Sequence, residues 1–140
     1  KEPAAAPREP IKVSPGGTRV EAAAFSSMSG VCVYDCFTGG KQVNFQKNVQ
    51  NSWVDYTLDV PAAGVYGLEI RVAAPNLDQV LDVSSGTAKL ATVKVPNTTG
   101  LWGTTPAVDI KLAKGKQTLR LSAPFQRGVA VRYLELRSKQ

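Results

Sequence analysis

The sequence has no histidine, one methionine and two cysteines in 140 residues. Without imidazole there is no Ser-His-Asp or Cys-His nucleophile pair, no His-ligated zinc and no imidazole general base. Two thiols, Cys32 and Cys36, are too few to hold a structural zinc. No run approaches the roughly 18 apolar residues that a membrane helix needs, so no membrane span is expected, and no basic start with an apolar centre reads as a leader.

Acidic residues are also short. Eleven Asp and Glu against 17 Lys and Arg leave a net charge of +6, a field that favours anionic partners. The basic residues are scattered. Their densest stretch, Lys111, Lys114, Lys116 and Arg120, divides between opposite faces of a strand and includes no aromatic for base stacking, so no nucleic-acid partner is expected. A glycosidase acid and base must stand roughly 5 to 9.5 Å apart across a cleft. Asp55, Asp59, Glu69, Asp78, Asp82 and Asp109 are instead dispersed as solvent-face residues are, and the expectation is a chain without catalytic residues.

Helical spacing is missing as well: no stretch of ten or more residues sustains it with caps. Apolar residues recur with a period near two, in segments bounded by Gly, Pro and Asn. Residues 20–25, 52–60, 64–73, 79–83, 88–95, 107–112, 116–122 and 129–136 each read as a strand. With 43% hydrophobic residues, residues 11–140 are enough for one domain with its own core. Many short strands at near-regular spacing predict an all-β fold, an antiparallel β-sandwich or jelly roll. Residues 1–10, KEPAAAPREP, hold three prolines and nothing to bury, and read as a linker that joins the domain to a larger protein.

Two units are alike. Residues 60–70 and 112–121 both run from a strand end through Ala-x-Gly into alternation, with Leu68 and Ile70, like Leu119 and Leu121, on one face. Two similar hairpins are the expectation, with glycine supplying the positive φ of the turn.

The order of short motifs resembles that of the family 6 carbohydrate-binding modules over residues 18–137. It comprises Val20-Glu21-Ala22, Met28-Ser29-Gly30-Val31, Thr38-Gly39-Gly40, Ser52-Trp53-Val54-Asp55-Tyr56, the two Ala-x-Gly units, Arg71-Val72-Ala73-Ala74-Pro75 and a closing Tyr133-Leu134-Glu135-Leu136. The resemblance implies a non-catalytic jelly roll that anchors a linked glycoside hydrolase to its polysaccharide or glycan, secreted, periplasmic or on the cell surface, and acting as a monomer. It implies a sugar site in loops at one edge, where two aromatics hold a ring between them. These correspond to Phe45 and Trp102, with Tyr34 or Asp35 at the polar position of an early loop. The Asn of the family's closing strand falls where this chain has Ala130 and Arg132. The resemblance also implies a structural calcium held partly by acidic residues of the first strand; Glu21 and Glu135 are the candidates, and Ala23 stands where a second acidic residue is expected.

The residues themselves admit two readings in most places. Trp102 lies in Pro96-Asn97-Thr98-Thr99-Gly100-Leu101-Trp102-Gly103-Thr104-Thr105-Pro106, where flanking glycines let a large ring stand clear of the core or fold back as a lid. An exposed indole suits the apolar C–H face of a sugar. Phe45 has polar neighbours fit for hydroxyls, but alternation with Val43 also reads as core. Trp53 and Tyr56 read as core within one strand. Cys32 and Cys36 form either a disulfide that shapes the loop of Tyr34 and Asp35 or two unlinked thiols. Gln126, Arg127 and Arg132 are candidates for hydroxyl or carboxylate contacts, which would extend the ligand range to acidic glycans, or are solvated residues of the closing strand. The alternative in another class is a structural or protein-interaction sandwich that spaces domains and has lost sugar binding.

Overall fold

The computed structural model describes residues 9–45, 51–75, 79–124 and 128–139. The expected linker falls outside these except for Glu9 and Pro10, and so do the candidates Gln126 and Arg127. Thirteen strands form among the described residues: β1 (Ile11–Lys12), β2 (Thr18–Glu21), β3 (Ser27–Ser29), β4 (Val31–Asp35), β5 (Lys41–Phe45), β6 (Ser52–Val60), β7 (Gly64–Ala73), β8 (Gln79–Ser85), β9 (Ala88–Val95), β10 (Gly103–Thr104), β11 (Val108–Leu112), β12 (Gly115–Ala123) and β13 (Val129–Ser138). No helix among them is long and apolar enough to cross a membrane.

The period-two pattern turns into two packed sheets because each long strand has one wholly apolar face. One sheet runs β1-β6-β12-β8-β9, with β3 also on β6; the other runs β10-β7-β13-β5-β4, with β11 also on β7 and β2 also on β13. All pairings are antiparallel except β1 with β6. From the first sheet Val54, Tyr56, Leu58, Leu81, Val83, Leu119 and Leu121 point inward; Leu68, Ile70, Val72, Val131, Leu134 and Leu136 meet them from the second, and all are buried. The Tyr56 hydroxyl donates to the Ala22 carbonyl at 2.7 Å, satisfying the one polar atom its side chain carries into the core. Burial raises its pKa well above the ordinary phenol value.

Two expectations need correction. The Ala-x-Gly units are not hairpins: β6 ends in one sheet and β7 begins in the other, as do β11 and β12 in the reverse sense, so both units cross between the sheets. They lie side by side, Leu112 opposite Gly64 and Gly115 opposite Val60, so the two like sequences do the same job at one end of the sandwich. Trp53 is not core. With Ser52 and Val54 inward, alternation turns its ring to the outer face of the first sheet, half-exposed. There the Arg120 guanidinium lies 3.8 Å from the ring centroid and donates to both carboxylate oxygens of Asp55 at 2.7 and 3.0 Å.

Candidate functional site

At one end of the second sheet the finish of β5, the start of β13, the finish of β7 and the approach to β10 come together: Val129 is opposite Phe45, Ala130 is opposite both Asn44 and Ala73, and Gly103 is opposite Val72. Trp102 leads directly into β10 at this end and is half-buried, next to Leu101, which is 69% exposed. Its loop is fastened at both ends. The Thr98 hydroxyl accepts from the Ala74 amide at 2.8 Å and donates to the Ala74 carbonyl at 3.2 Å, while the Thr98 amide donates to the same carbonyl at 3.0 Å. Beyond the tryptophan, buried Thr105 accepts at its hydroxyl from the Ile70 amide at 3.0 Å, and its own amide donates to the Ile70 carbonyl at 2.9 Å. Between these anchors Thr99 and Gly100 take left-handed φ values of 53° and 81°, and the Asn97 carboxamide accepts from the Thr99 amide at 2.9 Å. The ring is therefore carried on a segment whose backbone is already ordered, which lowers the entropy cost of engaging a ligand.

Phe45, the expected second ring, is not set against it. Phe45 is 1% exposed: β5 directs it inward with Val43, between Val31 and Val129, so it belongs to the core and offers no face to a sugar. Tyr34 and Asp35 are exposed, but they lie on β4, four strands from β10 and roughly 19 Å away at about 4.8 Å per strand. Asp35 is ion-paired with Lys41, which lowers its pKa. The Tyr34 hydroxyl has its pKa raised by a hydrogen bond with Cys32.

Arg132 also differs from the expectation. It is the extra residue of a bulge in β13, since Val131 pairs with Val72 and Tyr133 with Arg71. On the other side of β13, β5 pairs before the bulge and β2 after it, and the guanidinium bridges the gap between them. Nε donates to the Gly39 carbonyl at 2.9 Å and Nη1 donates to Glu21. The side chain is only 17% exposed. Arg132 is thus a fastener of the β4–β5 turn rather than an open fork for a carboxylate.

The same contact pairs Glu21, one of the two expected calcium ligands, with Arg132. Glu135 faces Arg19 at 4.0 Å, and no group of three or more His, Cys, Asp or Glu gathers among the described residues. Each of the two calcium candidates therefore stands beside an arginine. Cys32 and Cys36 are buried and unlinked. Three extended steps from Cys32 to Asp35 already span about 10 Å, so a bond within the usual 4.4 to 6.8 Å Cα separation would need β4 to break. The Cys36 thiol instead lies 3.0 Å from the Thr38 hydroxyl.

Sequence reasoning missed Phe37, which at 89% exposure is the most open large apolar side chain among the described residues. It rides the tight turn closed by Cys36 amide to Gly40 carbonyl and Gly39 amide to Cys36 carbonyl, both 2.9 Å. The signal was present in the paired glycines that follow it.

A β-agarase AgaA of Microbulbifer thermotolerans is 26% identical over 126 residues, which are 83% of this chain but only 27% of that protein. Among solved structures, the C-terminal family 6 module of LamC, a marine laminarinase from Zobellia galactanivorans, superposes with a TM-score of 0.78 at 22% identity, covering 87% of this chain and 99% of that one. A carbohydrate-binding module of Cellvibrio mixtus lichenase 5A in complex with cellotriose gives 0.77 at 23% identity, covering 88% and 98%. These likenesses agree with the two-sheet architecture. The sequence profile of carbohydrate binding module (family 6) matches residues 21–137, and the chain belongs to that family.

Proposed function

We propose that this chain is a non-catalytic module that holds a linked glycoside hydrolase on its polysaccharide outside the cytoplasm, with Trp102 as the stacking ring of the sugar site. The observation that carries this reading is the half-buried indole on a loop anchored at Ala74 and Ile70. Its exposed part packs against the C–H face of a pyranose, while polar groups at the same end bond hydroxyls in the ring plane. Gln126 and Arg127, three and two residues before Val129 in the chain, are the polar candidates nearest to this end in sequence. The names of the relatives, an agarase, a laminarinase and a lichenase, support a polysaccharide as the ligand and a hydrolase as the linked domain. Tethering acts by raising the effective concentration of enzyme at its substrate.

Calorimetric titration with agaro-, laminari- and cello-oligosaccharides tests it. Trp102→Ala is expected to weaken binding of the recognised sugar by at least about tenfold, or 1.4 kcal/mol, without lowering the melting temperature by more than a few degrees. Unchanged binding in this variant removes Trp102 from the site. The burial of Phe45 favours a second reading, a spacer sandwich with no sugar site; wild-type protein that binds none of the oligosaccharides would establish it.

A further inference from the structure

The two sheets leave a seam open on one side. Among the described residues β9 pairs only with β8 and β11 only with β7, so each is the last strand of its sheet there, and the two strands lie next to each other. Between them is a cavity of about 410 Å³ lined by Val65, Lys89, Leu90, Asp109, Ile110 and Lys111, within the roughly 300 to 1,000 Å³ range of small-ligand pockets. Its apolar floor is formed by Val65 and Leu90, both half-buried, with Ile110 at 1% exposure behind them, and its rim is charged. Lys89 faces Asp82 at 3.1 Å and Lys139 faces Asp109 at 3.6 Å, whereas Lys111 has no ion-pair partner among the described residues. Val65 and Ala73 stand at opposite ends of β7, about 26 Å apart at about 3.3 Å per residue, so the cavity is separate from the Trp102 loop.

We propose that this seam is a second binding site, one that takes a saccharide unit carrying an anionic substituent. The apolar floor accepts the C–H face of the ring. Asp109 accepts a hydroxyl, and Lys111, with Lys89 beside it, donates charge-assisted hydrogen bonds to the anion. A neutral sugar leaves the cationic rim unused, and a free inorganic anion leaves the floor unused. The overall charge of +6 brings such a ligand to the surface from a distance. Carboxylate and sulfate ester are the two sources of that anion.

The test is titration of the whole chain with tetragalacturonate for the carboxylate and sulfated cellotetraose for the sulfate, against neutral cellotetraose. At least one anionic probe is expected to bind about tenfold or more tightly than the neutral one, and Lys111→Glu is expected to remove about tenfold of that affinity. Leu90→Ala is expected to weaken it about threefold through the floor. Lys94→Glu changes the net charge equally away from the cavity, and is expected to leave affinity within about twofold, as is Trp102→Ala. The proposal is overturned if Lys94→Glu costs as much as Lys111→Glu, since the attraction is then diffuse. It is equally overturned if Trp102→Ala abolishes anionic binding, if tetraglutamate binds as tightly as the sugars, or if neither anionic probe is preferred. Because Trp102 and Lys111 are varied independently, loss of this site and loss of the Trp102 site are distinguishable.

Discussion

The segment Pro96–Pro106 and the turn Cys36–Gly40 are both glycine-bearing loops that hold an apolar side chain in water, Leu101 in one and Phe37 in the other. They are secured by different chemistry. Neutral threonine hydroxyls tie the first to the backbone of Ala74 and Ile70, whereas the Arg132 guanidinium, from a distant strand, holds the second at Gly39 and joins it to Glu21. Neutral fastening leaves Trp102 presented with no charge spent on its support. The charged fastening consumes Arg132, a residue whose type alone suggests ligand binding.

The largest effect that tests this contrast lies at the root of the turn. Phe45→Ala empties a fully buried site beneath the β4–β5 pair, and calorimetric or denaturant unfolding should show a loss of about 3 to 5 kcal/mol. If Phe45 were instead a surface ring, stability would hardly change and sugar affinity would fall. The two loops can next be compared through one substitution in each. Gly40 and Gly100 both adopt left-handed backbone, at φ 73° and 81°. An added Cβ at Gly40 would come within 2.0 Å of Arg132 Nη2, while one at Gly100 meets nothing within 4 Å. Gly100→Ala should cost about 1 kcal/mol of backbone strain, and Gly40→Ala about 2 to 3 kcal/mol because Arg132 must also give way. Equal losses would show that Arg132 does not hold the turn. A smaller loss is expected from Thr98→Val, about 1 to 2 kcal/mol, accompanied by weaker sugar binding as the Trp102 segment loses its tie to Ala74.

The same contrast explains what could be read from the chain. The expected strands 52–60, 64–73 and 88–95 match β6, β7 and β9 residue for residue, because long alternating runs with an apolar face leave one register available. β4 and β5 escaped notice. Each is five residues long, with Cys32, Tyr34, Gln42 and Asn44 on the outward face and only short pairs of apolar residues inward. Trp102 stood out by its flanking glycines, a local signal. Phe45 admits both readings in sequence, since its alternation with Val43 and its polar neighbours point opposite ways; its direction follows only from the distant pairings with Val31 and Val129. Arg132 could not have been placed: its partners are 93 and 111 residues away in the chain, and its position follows from a bulge with no local signature.

The weakest fastener of the turn gives the smallest effect and a defined pH signature. Asp35 and Lys41 face each other across the last pair of β4 and β5, and the lysine ammonium lowers the Asp35 pKa. A carboxyl whose folded-state pKa lies below its unfolded value of about 3.9 stabilises the fold while it is ionised, so its contribution is fully present above that value. It disappears as pH falls through the depressed folded-state pKa. Both side chains are exposed, at 83% and 59%, so solvent and salt screen the pair. Urea unfolding of wild type and Asp35→Asn should therefore differ slightly and constantly from pH 5 to 7 at low ionic strength. The curves should converge on acidification and also on adding salt at neutral pH. A difference that survives at a pH where Asp35 is fully protonated would assign its origin to packing or turn geometry, and the electrostatic account of this corner would be wrong.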